Sequence, residues 1–147
     1  MPLMYKKILV PVDGSEPSFD AIRHAADLAA ITKGTVDLIH VVDVADQVQV
    51  YTHFHSAYLP DTYLEDFMTI GNEIMSEALP RLPEEVRGEA LVKTGEPRDF
   101  LLHFIEEQQY DLVVIGCRGL SALPGLFLGS VSQFLVQNAK CPVLVVK

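Results

Sequence analysis

The amino-acid sequence predicts an α/β protein built on an open, doubly wound parallel sheet, and three observations indicate this class. Several short apolar runs do not alternate with polar residues, which is typical of strands buried on both faces of a sheet. Segments with apolar residues at helical spacing separate these runs, and glycine, proline or serine marks most of the junctions. Regular alternation of strand and helix indicates a parallel sheet with helices on both faces. Residues 1–147 are expected to form a single domain.

The first strand is predicted over Ile8–Val12, an apolar run that ends at a turn cluster. A helix is predicted from Ser15 to Lys33, because apolar residues recur there at i, i+3, i+4 and i+7. These residues are Ile22, Ala25, Ala26 and Ala29. Ser15 or Ser18 is expected to cap the start of this helix, and Gly34 is expected to end it.

The middle of the chain continues the alternation with a second strand predicted over Thr35–Val42. Val44 to Pro60 is predicted to be a long connection, because its composition is mixed and shows no regular period. Apolar residues at helical spacing predict a helix over Leu59–Leu79, and prolines follow it. A third strand is predicted over Glu89–Lys93.

The last third of the chain adds two helices and two strands. A helix is predicted over Pro97–Gln109, and a fourth strand over Asp111–Ile115. A glycine-bearing loop, Gly116–Gly129, follows this strand. The last helix is indicated by three apolar residues at helical spacing, which are Val131, Phe134 and Leu135. The fifth strand is predicted over Pro142–Val146.

Charge and composition exclude several classes of function. The chain carries 20 acidic and 11 basic residues, for a net charge of −9, so general nucleic-acid binding is not expected. No apolar stretch approaches the roughly 20 residues of a membrane-spanning helix, so we expect no membrane insertion. Two cysteines are too few for a disulfide framework, and the first residues do not resemble a signal peptide. These features predict a cytoplasmic protein.

A ligand site is expected at the carboxyl ends of the first and fourth strands, because open α/β sheets bind ligands there. Asp13-Gly14-Ser15 follows the first strand, and Gly116–Gly119 follows the fourth. Gly129–Ser132 lies at the start of the last helix. Gly116 and Gly119 are expected to permit positive φ and a close approach of the backbone to the ligand.

The residues at this predicted site have chemistry suited to a nucleotide. Backbone N–H groups at the helix start near Gly129 lack internal partners and favour a phosphate. Ser130 and Ser132 could add hydroxyl donors, and Arg118 supplies a nearby cation. Asp13 could accept a hydrogen bond from a ribose hydroxyl or an adenine amine, or bind Mg²⁺. The same residue types also form ordinary turns and helix caps, so their chemistry alone leaves both interpretations open.

At these residues the sequence resembles the universal stress protein family. The spacing Gly116-x₂-Gly119-x₉-Gly129-Ser130 matches the family's ATP-binding pattern G-x₂-G-x₉-G-[S/T]. Four other segments resemble the family in the same order along the chain; they are Ile8–Ser15, Leu38–Asp43, Gly95–Pro97 and Cys141–Val146. The resemblance covers nearly the whole chain except roughly Val44 to Arg87, and several spaced motifs in one order make it specific.

The resemblance implies an adenine-nucleotide alpha-hydrolase-like fold with strand order 3-2-1-4-5, which binds ATP where the order reverses. Pro11, Val12 and Asp13 would then border the adenine and ribose, and Val41 would contact the adenine. The residues implied to line the ribose and phosphates are Gly116, Arg118, Gly119, Gly129, Ser130, Val131 and Ser132. Leu120–Leu128 departs from the family, because it lacks the basic residues that many ATP-binding members carry there. AMP or another adenine nucleotide is therefore an alternative to ATP, and Mg²⁺ could assist at the phosphates.

Three other features each allow two interpretations. His53-x-His55 has the spacing of half a metal site, although alternate histidines in an unpatterned segment are more often solvated. His40, in the second strand, is expected to pack in the core rather than act as a base. Cys117 is either a reactive thiol beside the phosphate loop or a small residue that fills a turn.

The fifth strand is expected to form a homodimer interface. In the order implied by the resemblance it lies at the edge of the sheet, and Val143-Leu144-Val145-Val146 is unusually apolar for an edge. Pairing with the same strand of a second copy would cover it, and the resemblance also implies such dimers.

Three functions remain in competition at this point. The first is an ATP-binding regulatory protein of the stress response, with slow hydrolysis or none. The second is an enzyme, either a slow ATPase or a nucleotidyl transferase, for which Asp13 and His40 are the candidate bases. The third is an interaction module that does not depend on a nucleotide, and Val44 to Pro80 could carry partner contacts in any of the three.

Overall fold

A computed structural model describes residues 4–45, 49, 53, 63–117 and 128–147. Five strands alternate with helices, four of which have both ends within these residues. Val44, Ala45, Gln49 and His53 are also helical, so the prediction of a connection without regular structure over Val44 to Pro60 was wrong at these positions. The strands are β1 (Lys7–Pro11), β2 (Thr35–Val42), β3 (Ala90–Thr94), β4 (Leu112–Gly116) and β5 (Val143–Val146). The helices are α1 (Glu16–Thr32), α2 (Tyr63–Ala78), α3 (Pro97–Glu107) and α4 (Ser130–Asn138), and a short 3₁₀ turn (Leu79–Arg81) follows α2.

The five strands form one parallel sheet in the order β3-β2-β1-β4-β5. This confirms the predicted fold class and the strand order that the family resemblance implies. The order reverses direction between β1 and β4, so the chain leaves the sheet on opposite sides after these two strands. All five carboxyl ends lie along one edge of the sheet, because every strand pair is parallel.

Two hydrophobic cores lie on the two faces of the sheet, because alternate strand residues point to opposite faces. Ile8 and Val10 of β1 pack with α1 and α2, whereas Leu9 packs with α3 and α4. All three of these side chains are fully buried. Burial on both faces explains why the strand sequences show continuous apolar runs instead of alternation. Within the described residues, no helix is long and apolar enough to cross a membrane.

The ends of two helices differ from the prediction by one or two residues. Lys33, with φ of 58°, adopts the left-handed conformation that ends α1, so Gly34 does not end this helix itself. Gly34 is still required, because a Cβ there would lie 2.7 Å from the carbonyl oxygen of Tyr5. The helix α3 ends at Glu107 rather than Gln109, since Gln109 turns the chain with φ of 57°. At the start of α1, Ser15 is the cap and accepts from Ser18 N–H at 3.4 Å.

Candidate functional site

A crevice opens between β1 and β4 because their pairing stops before either strand ends. The last paired residues are Leu9 and Val113, two or three positions short of the strand ends. Pro11 is the next residue of β1 that faces β4, and proline has no N–H to donate. The ladder therefore loses its next donor from β1, and the crevice lies at the point where the strand order reverses.

The turn after β1 holds Asp13 in a defined orientation. One carboxylate oxygen of Asp13, Oδ1, accepts from the backbone N–H of Ser15 at 2.9 Å and from its hydroxyl at 2.5 Å. Gly14 permits this turn because its φ is +89°, a conformation that strains other residues. No hydrogen bond to the other oxygen, Oδ2, occurs within the described part of the chain. The carboxylate is thus anchored at one oxygen and available to a ligand at the other.

Gly116 has a different role from the one predicted. Positive φ at Gly116 was expected, but among the described glycines only Gly14 and Gly95 have positive φ. A Cβ at Gly116 would lie 2.8–2.9 Å from atoms of Pro17 and Ser18 at the start of α1. Gly116 is therefore needed for the close packing of α1 against the end of β4. Arg118 and Gly119 lie outside the described residues, so their predicted contacts stay predictions.

Val41 presents a backbone donor and acceptor at the same edge of the sheet. Odd-numbered residues of β2 bond to β1, as the bonds from Thr35 N–H to Lys6 and from Val12 N–H to Ile39 show. The N–H and C=O of Val41 consequently point past the end of β1. In the described part of the chain, neither group has a backbone partner in the turn that follows β1.

His40 explains why the Val41 N–H stays free. A continued ladder would pair this N–H with the carbonyl oxygen of Val12, but His40 Nδ1 lies 2.8 Å from that oxygen. A carbonyl can only accept, so Nδ1 carries the hydrogen in this bond. The side chain is half-buried and belongs to neither hydrophobic core, so the expectation of a core histidine was wrong, and sequence reasoning also missed its bond to Val12. The available signal was its position, one residue before the predicted adenine contact.

The start of α4 offers backbone N–H groups to an anion. Its N-cap residue, Gly129, has no side chain to accept from the first turn of the helix. The N–H groups of Ser130, Val131 and Ser132 therefore lack partners within the described residues. The Ser132 hydroxyl donates to the carbonyl oxygens of Cys117 and Gly129, at 3.0 and 3.1 Å. Its hydrogen is therefore used to hold the turn before α4. Ligand contact by that hydroxyl remains a prediction.

Cys117 ties the start of α4 to the end of β4. Its carbonyl oxygen accepts from Gly129 N–H at 2.6 Å, and its own N–H donates to Val146 at 2.8 Å. The two ends of the glycine-bearing loop are therefore held together beside the crevice. This backbone role agrees with the interpretation of Cys117 as a small residue that fills a turn. The thiols of Cys117 and Cys141 are both free.

A metal site built from several protein side chains is not found in the described part of the chain. No group of three or more histidine, cysteine or acidic side chains that could hold a metal ion occurs there. His55 lies outside the described residues, so the predicted pair with His53 is untested.

Together, these groups give the crevice two kinds of recognition chemistry. Val41 supplies an adjacent donor and acceptor for the edge of a flat heterocycle. The start of α4 supplies N–H donors for an anion, and the Oδ2 atom of Asp13 can accept a hydrogen bond or bind a cation.

Comparisons with known proteins identify a family and several solved structures that the chain resembles. A family model described as the universal stress protein family matches residues 4–147. The universal stress protein MJ0531 of Methanocaldococcus jannaschii is 34% identical over 146 residues, which are 98% of this chain and 83% of that protein. The solved structure of protein MJ0577, from the same organism, has a TM-score of 0.75 at 26% identity and covers 98% and 96% of the two chains. A universal stress protein solved in complex with cAMP has a TM-score of 0.69 at 27% identity, covering 97% of each chain.

Proposed function

Because the chain belongs to the universal stress protein family, we propose that it binds an adenine nucleotide in the crevice between β1 and β4. In this proposal the protein is a regulatory factor of the stress response that turns nucleotide over slowly or not at all. The cAMP complex of a similar protein supports an adenine ligand. The cytoplasm is the proposed location, where the free thiols of Cys117 and Cys141 would stay reduced.

The single observation that carries the adenine proposal is that the N–H and C=O of Val41 have no backbone partner within the described turn after β1. In extended backbone the N–H and C=O of one residue point to the same side of the strand. The Watson–Crick edge of adenine presents N1, an acceptor, next to the N6 amine, a donor. These two groups match the N–H and C=O of Val41. Guanine presents a donor at N1 and an acceptor at O6, so it meets the same backbone pair only with the base turned over, which would place its ribose on the other side.

The phosphates are proposed to bind at the start of α4. Three N–H groups there lack partners among the described residues, and the helix dipole favours an anion at this end. ATP is the nucleotide that we propose, with Mg²⁺ near the Oδ2 atom of Asp13 and with Arg118 and Gly119 at the phosphates. The lack of basic residues in Leu120–Leu128 makes AMP the alternative ligand.

Slow turnover is proposed because the free oxygen of Asp13 is assigned to the ligand or Mg²⁺ and the His40 ring is packed against α2. Asp13 accepts two hydrogen bonds at Oδ1, and Ser15 donates both. His40 uses its Nδ1–H in the bond to Val12. A base must reach the proton of an attacking water or acceptor group in the bound complex. In the bound complex the Oδ2 atom of Asp13 would contact the ligand or Mg²⁺, and the ring of His40 lies against Gly71 of α2, so tight binding without rapid hydrolysis fits the site best.

We also propose a homodimer through β5. Val113 N–H bonds to Pro142 and Cys117 N–H bonds to Val146, so the even-numbered residues of β5 face β4. Val143 and Val145 consequently direct their backbone groups to the open edge of the sheet. Leu144 on this strand and Val136 on α4 are both exposed large hydrophobic residues. Pairing with β5 of a second copy would satisfy the backbone and cover this edge.

The proposed function is tested by identifying the nucleotide in freshly purified protein. The protein is denatured, and the supernatant is separated by chromatography against ATP, ADP, AMP and cAMP standards. Near-stoichiometric ATP supports a tight binder with slow turnover, whereas ADP or AMP with measurable ATPase activity supports the enzyme alternative. An empty protein that also takes up neither Mg-ATP nor AMP in calorimetry contradicts nucleotide binding and favours the interaction module.

A further inference from the structure

We propose that His40 is a positioning residue that keeps the Val41 N–H available for the adenine base. This inference rests on the proposed nucleotide site and adds a residue that does not itself touch the ligand. Its basis is a competition for one acceptor, the carbonyl oxygen of Val12.

The register of β1 and β2 defines this competition. Val12 N–H bonds to Ile39 at 2.8 Å, so the next step of a regular parallel ladder is Val41 N–H to Val12. That bond is absent from the described backbone, and His40 Nδ1 lies 2.8 Å from the Val12 oxygen instead. The His40 side chain has therefore replaced the Val41 N–H as the donor to the Val12 oxygen. Without the imidazole, the next donor within reach of the Val12 oxygen is the N–H of Val41.

The helix α2 fixes the position of the imidazole ring. Gly71 of α2 faces His40, and a Cβ at Gly71 would lie 3.2 Å from His40 Cδ2 and 2.9 Å from Val92 Cγ1. The ring is thus held between α2 and the sheet. One helical turn further along α2, Ile74 lies against Gly14 at the turn that carries Asp13. The helix consequently supports both sides of the adenine end of the crevice.

The two possible donors to Val12 have opposite consequences for a ligand. With His40 as donor, the ladder stops and Val41 keeps its N–H for adenine N1. With Val41 as donor, the strands would close by one further bond, and only the C=O of Val41 would remain for the N6 amine. Loss of one recognition hydrogen bond is expected to weaken AMP binding about tenfold, or about 1.4 kcal/mol.

Two substitutions separate this role from simple packing. His40→Leu keeps an apolar body in place but removes the donor. His40→Asn retains a side-chain N–H near the position of Nδ1, so it is expected to restore the bond to Val12. His103→Leu is the matched control, because His103 Nδ1 also lies 2.7 Å from a backbone carbonyl, that of Asp99, but on the exposed surface of α3.

The first measurement is amide hydrogen exchange at Val41 without nucleotide. Fast exchange is expected in the wild-type chain and in His40→Asn, and at least tenfold slower exchange is expected in His40→Leu. The second measurement is calorimetry with AMP and with 1-deaza-AMP, which lacks the N1 acceptor. His40→Leu is expected to lose about tenfold in AMP affinity and to stop distinguishing the two ligands, whereas His40→Asn and His103→Leu behave as the wild type.

The outcomes separate this inference from the proposed function. If the wild type binds AMP but His40→Leu changes neither the exchange of Val41 nor the preference for AMP, the inference is wrong and the proposed function stands. If the wild type binds no adenine nucleotide, the proposed function fails. In that case unchanged exchange at Val41 in His40→Leu overturns the structural role of His40 as well, and slowed exchange supports it.

Discussion

The proposed phosphate site predicts that one substitution will raise the stability of the protein while it weakens nucleotide binding. Gly129 is the N-cap of α4, and its φ of −71° and ψ of 167° are accessible to any residue. Gly129→Asp therefore fits the backbone without strain. Its carboxylate is expected to accept from the N–H of Val131 or Ser132, which are the groups proposed to bind phosphate.

The magnitudes follow from this exchange of partners. Asp in place of Gly at an N-cap stabilises a helix by a few tenths of a kcal/mol, and its charge adds about 0.3–1 kcal/mol through the helix dipole. The bound nucleotide loses one charge-assisted hydrogen bond, worth about 1.5–3 kcal/mol, and meets a like charge. Together these terms predict a loss of at least about 100-fold in affinity, or about 2.7 kcal/mol.

Gly129→Asn is the matched control, because it caps the helix without a charge. It is expected to bind nucleotide about tenfold more weakly than the wild type, between the wild type and Gly129→Asp. Urea denaturation of the nucleotide-free proteins measures stability, and calorimetry with Mg-ATP and AMP measures affinity. Retained affinity in a folded and stabilised Gly129→Asp protein would refute the placement of the phosphates at the start of α4.

Three other predictions follow from the same structure. Gly129→Val should fold, given the backbone angles, but crowd the phosphates and weaken nucleotide binding at least tenfold in calorimetry; unchanged affinity would place the ligand elsewhere. Val145→Pro removes an N–H that β4 does not use, so it should yield folded monomers in sedimentation where the wild type is dimeric; persistent dimers would contradict pairing through β5. Burial and the bond from the Tyr110 hydroxyl to Asp37, at 2.7 Å, raise the pKa of Tyr110 above its usual value of 10. The folded state therefore holds this proton more tightly, and the free energy of unfolding should fall as the pH rises above about 10. Tyr110→Phe should lose about 1 kcal/mol at pH 7 and show a smaller fall in alkaline urea titrations.

The sequence allowed the strands and helices to be predicted because their signals are local. Thr35–Val42 was predicted with its observed bounds, since a continuous apolar run needs no tertiary context to be recognised. The predicted end of α1 at Gly34 was wrong by one position, because Lys33 accepts the left-handed conformation that glycine usually takes. The reason for Gly34 is tertiary, namely the close carbonyl of Tyr5.

The position of the site could be predicted from the sequence, but the contacts that give its residues their roles could not. Asp13 and Gly116 were recognised by their positions after buried strands, and the spacing to Gly129 identified the helix start. The role of Gly116 depends on Pro17 and Ser18, which lie about a hundred residues earlier in the chain. The hydroxyl of Ser132 was expected to face a ligand, but its orientation depends on the carbonyl of Cys117. Such partners are set by the packing of distant segments, which periodicity does not report.

The crevice forms because β1 stops pairing with both of its neighbouring strands at nearly the same level. Toward β4, pairing ends because Pro11 has no N–H to donate. Toward β2, pairing ends one residue later, because His40 takes the carbonyl of Val12 in place of Val41. Gly14 then turns the chain away, which also leaves the carbonyl of Val41 without a partner in that turn. A parallel sheet normally satisfies its own backbone groups. The interruptions at Pro11, His40 and Gly14 leave main-chain atoms at the end of β1 without partners in the sheet, and these atoms can recognise a ligand.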